Sequence, residues 1–224
     1  MRRRAQGGFL WMAAEPELSL GLSCAALGVG VALSCWGMIA AGNFAWQRVV
    51  ISYLMLRAWN PLYFSFAIGG VVASGALLIP VVVFLAQQRW PGPRRMKQVA
   101  CGLMGLGIAG LLSLAVTSLI LDDIGPVHDD LTVATLAGLL TGMGVYSAMA
   151  IRAGHERRML GAMLGVTALA MIGLGVVFAE TEFFVDAPWW RCLATCEVTM
   201  CLFLASYLLL LIRVSRSFAR KARS

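Results

Sequence analysis

Glu197 is the one ionisable residue set well inside a long apolar run of this 224-residue chain, roughly two helical turns from the start of the run. An acid in such surroundings is costly, so it normally faces other helices or a wet cavity, and a functional role is the first reading. Its partner could be His128, Arg191 or a threonine. The plainer alternative is a protonated carboxyl that hydrogen-bonds between helices. His128 lies in the string Leu121-Asp-Asp-Ile-Gly-Pro-Val-His-Asp-Asp-Leu131, four carboxylates around one imidazole. Hard oxygens of this kind suit a divalent cation, and an imidazole beside a carboxylate suits proton transfer near neutral pH. Solvated aspartates that cap and turn helices beside Gly-Pro would look the same. If the site is catalytic, His128 acts as base, oriented by Glu197 or Asp129, in acyl transfer to or hydrolysis of a lipid. The sequence holds no Gly-x-Ser-x-Gly, no His-Glu-x-x-His and no phosphate-cradling glycine loop. Cys192, Cys196 and Cys201 crowd one run without a nearby histidine, so they read as packing residues and not as zinc ligands. No metal and no cofactor is expected.

The elements that must position these residues are themselves unusual. The chain is 60% hydrophobic and 13% charged, against roughly 45–50% and about 25% in soluble domains. It belongs in a bilayer, and disorder, collagen-like repeats and a secreted disulfide scaffold are excluded. A span takes about 20 apolar residues. Runs of that length lie at 18–41, 62–86, 99–121, 131–151, 159–179 and, less sharply, 190–212. The expected fold is all-α, a six-transmembrane-helix bundle forming a single integral membrane domain over 1–224. Fifteen of the 18 Lys and Arg fall in the N-terminal tail, the connections 87–98 and 152–158, and the C-terminal tail. Only Arg48, Arg57 and Arg191 fall in the alternate connections. That asymmetry puts both termini in the cytosol and explains the net charge of +7 without a nucleic-acid partner. The first run exceeds the about 7–15 residues of a signal-peptide core and lacks a convincing cleavage site, so it reads as a retained span. The six cysteines lie within apolar runs or at their ends and are expected to behave as small buried hydrophobes, with no disulfide framework. His128 and His155 fall on opposite sides of the bilayer, which excludes a zinc hydrolase built on several histidines.

The first connection, 42–61, is too apolar for a solvated loop and too interrupted to span. It is expected as a re-entrant or short amphipathic element, or else as a plain interfacial anchor. Trp46, Tyr53, Trp59 and Tyr63 suit headgroup depth, and Arg48 and Arg57 are candidates for lipid phosphates. Gly138-Leu-Leu-Thr-Gly142 and Gly161-Ala-Met-Leu-Gly165 are small-xxx-small patterns, and Gly102, Gly105, Gly107 and Gly110 thin the third run. They are read as packing inside the bundle ahead of a dimer seam. Pro80 removes one helical hydrogen bond and is expected to kink the second span near its cytosolic end. In the tail, Arg213, Arg216, Arg220 and Lys221 are candidates for binding anionic lipid, phosphoinositides among them. Phosphorylation at Ser215 and Ser217 would weaken that attachment. Alternatively, these cations only orient the chain.

The segment Ile51-Ser-Tyr-Leu-Met-Leu-Arg-Ala-Trp-Asn-Pro61, running into an apolar span, resembles the Ile-Ser-Asp/Glu…Pro element of the Frag/DRAM/Sfk proteins. That family includes the N-terminal domain of Cwh-type proteins and the post-attachment factors of GPI-anchor lipid remodelling. The Gly-rich third span, His128 at the entrance to the fourth, and Glu197 followed in the same helix by Tyr207 are similar to the same family, as are six spans with cytosolic ends. Tyr53 stands where the family often carries an acid. The resemblance implies membrane-lipid biology: GPI-anchor remodelling, phosphoinositide-kinase support and lipid asymmetry, or autophagy and lysosomal regulation. It implies no reaction that can be set on residues. The expected function is therefore that of a non-catalytic multi-pass protein, in the plasma membrane or an endomembrane, that interacts with or organises lipids or partner proteins. The first alternative is the His/acid enzyme described above. A transporter is the weaker one, because beyond Glu197 and the outer acids no charged path runs through the spans, and no internal repeat supports it. On this topology a tag at either terminus is reached only from the cytosol. Protection of a C-terminal tag from protease in cells opened at the plasma membrane alone would overturn it.

Overall fold

Pro16 opens the first long helix: its fixed φ suits the first helical position, and Glu17 in the first turn complements the positive end of the helix dipole. The computed structural model describes residues 12–42, 44, 54–57, 60–88, 93–121, 125–152, 160, 161, 163–165 and 193–221, without the side chains of 125, 126, 129, 193, 194, 196 and 218–221. Among the described residues there is no strand, and the long helices are α1 (Pro16–Ala40), α2 (Phe64–Gln87), α3 (Arg94–Ile120), α4 (Gly125–Arg152) and α5 (Leu193–Lys221). Each holds a stretch long and apolar enough to cross a membrane. The expected span 159–179 falls outside the described residues apart from 160, 161 and 163–165. The helices run past the expected apolar runs: α3 begins at Arg94, ahead of 99, α4 at Gly125, ahead of 131, and α5 continues to Lys221, past 212. Apolar runs stop at the first charge, whereas backbone hydrogen bonding continues through it.

The surface of α1 is inverted relative to a soluble helix. Its buried side carries Pro16, Ser19, Ser23, Gly30, Ser34 and Gly37, with Leu20 and Met38 the apolar members, while Leu18, Leu22, Val29, Leu33, Ile39 and, at 70%, Trp36 are exposed. Large apolar side chains outside and hydroxyls inside match a hydrocarbon surrounding, and this is an integral membrane protein. The hydroxyls join α1 to α2. Ser19 donates to the Leu77 carbonyl at 2.6 Å, Ser23 to the Ser74 carbonyl at 3.0 Å, and Ser34 to the Tyr63 carbonyl at 2.9 Å. Between the last two, Gly30 meets Gly70 so closely that a Cβ on Gly30 would lie 2.6 Å from the Phe66 carbonyl oxygen. The pair is antiparallel, and α2 continues through the buried Pro80 to Gln87.

α3 and α4 form a second antiparallel pair by contact just as close, repeated along the helices. A Cβ on Gly107 would stand 2.7 Å from the Leu139 nitrogen, and one on Gly142 would stand 2.6 Å from the Ala100 carbonyl oxygen. Gly110 makes room for Thr135 and Gly138 for Gly107. Gly138 and Gly142 thus pack within the chain, as expected. Gly102, Gly105, Gly161 and Gly165 meet nothing within 4 Å, so the third span is thinned on one side only. Gly75 admits Leu112, which joins the two pairs through α2 and α3. α5 runs opposite to α1, with Arg216 beside Glu15 and Glu17 and Cys201 within electrostatic range of Cys24. It is therefore parallel to α2 and α4.

One end of the bundle accordingly gathers the starts of α1 and α3 and the ends of α2, α4 and α5, with Arg94, Arg95, Arg152 and Arg213 exposed there. We call it the basic end. The expectation of buried cysteines is corrected for those described: Cys101 is buried, Cys35 and Cys201 are half-buried, and Cys24 is exposed. A thiol is apolar enough to face lipid. Gly107→Ala and Gly142→Ala are each expected to destabilise the bundle by about 1–3 kcal/mol, because backbone and not a flexible side chain must give way. Gly102→Ala and Gly105→Ala should be neutral or slightly stabilising. Thermal unfolding in detergent checks this, and equal midpoints for the two sets would sink the packing argument.

Candidate functional site

At the end opposite the basic one, residues 54–56 and 60 of the first connection fold into the mouth of the bundle. Leu54, Met55 and Leu56 are buried and pack with Met38, Ala67, Ile68, Val71, Leu114 and Ala115, from α1, α2 and α3. Asn60, also buried, holds the turn. Its side-chain amide donates to the Leu54 carbonyl at 3.2 Å, and its backbone N–H donates to the Leu56 carbonyl at 2.9 Å. Residues 54–56 and 60 are thus buried as no solvated loop would be, and the turn pairs backbone groups within itself as burial requires. Arg57 is exposed, with its guanidinium 5.9 Å from the Phe64 ring centroid. Arg48, Trp46, Tyr53 and Trp59 lie outside the described residues.

His128 and Glu197 stand at this same end. His128 is half-buried in the first turn of α4, and Glu197 is half-buried near the start of α5, which runs in the same direction. Leu131 packs against the cluster beneath the first connection, and Asp130 is exposed. The Thr132 hydroxyl oxygen is buried with no hydrogen-bond partner among the described residues. Asp122 and Asp123 and the side chain of Asp129 lie outside the described residues. Among those described, no group of three His, Cys, Asp or Glu is placed to hold a metal ion.

The basic end carries a polar network between helices. Tyr146 and Ser147 of α4 and Tyr207 and Ser215 of α5 are all 0% exposed. The Ser147 and Tyr207 hydroxyls lie 2.6 Å apart. Tyr146 donates to the Leu85 carbonyl at 3.1 Å, with the Ser215 hydroxyl 3.2 Å from the same phenol oxygen. Leu85 is in the last turn of α2, where carbonyls lack intrahelical donors. Its neighbours are treated alike: the Gln88 side chain donates to the Phe84 carbonyl at 3.3 Å, and Lys97 donates to the Gln88 carbonyl at 2.7 Å. Beside this network Arg216 reaches Glu17 at 2.9 Å and Glu15 at 3.5 Å. It also donates to the Ala14 carbonyl at 3.2 Å and lies 6.0 Å from the Phe84 ring centroid.

Tail residues expected to follow the last span are thus part of α5. Arg216, a lipid-binding candidate, is turned to the carboxylates that precede and open α1. Ser215, expected as a phosphorylation site, is corrected to a buried hydroxyl that no kinase reaches in this conformation. Ser217 is half-buried and donates to the Val214 carbonyl at 2.8 Å. Arg213 is exposed, and the side chains of Arg220 and Lys221 lie outside the described residues. Sequence reasoning missed Glu15, Glu17, Tyr146 and Ser147. The only signal was two acids immediately before a span on a side otherwise basic.

The chain matches no protein-family model, no curated protein and no solved structure. Its class therefore rests on its own fold, that of an all-helical, polytopic integral membrane protein. Tyr207→Phe and Ser147→Ala are each expected to cost about 1–2 kcal/mol, because each removes one hydroxyl of a buried 2.6 Å pair. The double variant should cost less than the two together. Strict additivity in a detergent unfolding cycle would show that the pair is not coupled.

Proposed function

We infer that this chain is a non-catalytic multi-pass membrane protein that interacts with or organises membrane lipids or partner proteins. The observation that carries the reading is the inverted surface of α1, apolar toward the bilayer and hydroxyl-lined toward α2. In our reading the bundle has six spans and both ends lie in the cytosol. α4 leaves at the basic end and α5 enters at the other, which supports a further crossing between them, and the apolar run 159–179 is long enough for one. Exposed Arg94, Arg95, Arg152 and Arg213 at one end support setting that end in the cytosol. They also support attraction of anionic lipid, phosphoinositides included, to which Arg220 and Lys221 would add. A link to GPI-anchor lipid remodelling or autophagy-type regulation draws on the sequence resemblance to the Frag/DRAM/Sfk proteins.

A second reading is favoured by one observation: His128 and Glu197 share an end of the bundle and are both half-buried. That supports acyl transfer or hydrolysis on a lipid, with His128 as base and Glu197 or Asp129 orienting it. Protein purified in native-lipid discs without added metal separates the two. The first reading expects one headgroup class to be enriched among co-purified lipids and no turnover of added phospholipid or GPI-lipid. Release of fatty acid, lost in His128→Ala and in Glu197→Gln, would replace it with the second. Bulk lipid composition together with no turnover would count against both.

A further inference from the structure

α5 is held unevenly. From 207 to 215 most of its residues are buried, whereas from 195 to 206 every described side chain is half-buried or exposed. The buried stretch leads directly into Arg216, where separate parts of the chain meet. These are Ala14 and Glu15 ahead of α1, Glu17 in its first turn, and Phe84 near the end of α2. The side chains of Arg216, Glu15 and Glu17 are 33%, 55% and 31% exposed, so the contact sits at the edge of the bundle, within reach of water.

The sign of the helix dipole gives this contact two distinct conditions. Arg216 lies beside the start of α1, the positive end of that dipole, where a guanidinium is repelled. Glu15 and Glu17 reverse the sign, stabilising the start of α1 and attracting Arg216 at once. With the acids gone, the attraction is lost and only dipole ends remain, the positive start of α1 opposed by the negative ends of α2 and α5. An ordinary exposed pair is worth under about 1 kcal/mol, but here one guanidinium meets two carboxylates and the Ala14 carbonyl at a half-buried site.

The geometry points to a charge clasp, formed by Arg216 with Glu15 and Glu17, that makes the start of α1 and the end of α5 open and close as one unit. When it is shut, the seam between α1 and α5 is closed at the basic end. When it is open, α5 is released where its packing is otherwise strongest. The central packing of α1 on α2 and of α3 on α4 takes no part.

Hydrogen–deuterium exchange on the full chain in lipid discs tests this, comparing wild type with Arg216→Gln and with the double variant Glu15→Gln/Glu17→Gln. Either variant is expected to speed exchange about tenfold at residues 19–22 and 213–218 together, with 70–76 and 104–110 still protected. Faster exchange at only one of the two ends, or at neither, would overturn the clasp and leave a solvated ion pair. If Arg216→Gln unfolds the bundle, protection is lost in α2 and α3 as well. The acid variant, which changes no residue of α5, then decides by the same criterion.

Discussion

Surrounded by hydrocarbon, a helix gains nothing from burying an apolar side chain against another helix, so association has to come from close backbone approach and from hydrogen bonds. The rest of this structure follows from that constraint. α3 and α4 meet through Gly107, Gly110, Gly138 and Gly142, where the missing side chains let backbone and Thr135 come into contact. α1 and α2 meet at Gly30 and Gly70, and three serines of α1 donate to carbonyls at the other helix. Some hydroxyls that find no second helix bond within their own. Thr117 donates to the Ser113 carbonyl at 2.9 Å and Ser206 to the Leu202 carbonyl at 2.8 Å, which keeps an exposed hydroxyl satisfied where no water is available.

Committing the middles of the helices to packing moves the remaining chemistry to the two ends, and the ends are solved differently. At one end the chain itself is the cover: Leu54, Met55 and Leu56 fill the mouth, and Asn60 supplies the backbone partners that a buried turn lacks. At the basic end the problem is the C-terminus of α2, whose last carbonyls have no donors within the helix. Tyr146, Lys97 and Gln88 supply them. A phenol is well suited to this role, since its ring is content among Val81, Leu85 and Leu211 while its hydroxyl reaches a carbonyl.

The spans were legible in the sequence because bilayer thickness dictates their length, and outside a bilayer an uninterrupted run of about 20 apolar residues is rare. Their ends were not, because hydropathy reports what surrounds a residue, whereas helix continuation is a matter of backbone hydrogen bonds that Arg94 and Lys221 make as well as leucine does. The glycines mark a similar limit. Gly102 and Gly105 look in sequence like Gly107 and Gly110, yet only the latter two face α4, because helix rotation is fixed by the partner and not by spacing. Ser147 and Tyr207 lie in different helices and leave no local pattern at all. Within the candidate site at the opposite end, the placement of His128 and Glu197 followed from counting crossings.

Arg216 shows how one residue type comes to hold two jobs in one stretch of chain. Arg213, one turn earlier, is exposed at the basic end, where the expected charge asymmetry gives it an orienting role. Counting charges assigned Arg216 the same role, since every neighbouring segment is basic. What separates them is the rotation of α5 about its own axis. Tyr207 and Ser215, two turns apart on the helix, bond to Ser147 and Tyr146 of α4, and a helix held at two points on one face cannot rotate. That fixed rotation brings the next residue, Arg216, to Glu17 and Phe84. The buried hydroxyl pairs therefore do more than satisfy each other: they determine that Arg216 is drawn into the fold while Arg213 stays exposed.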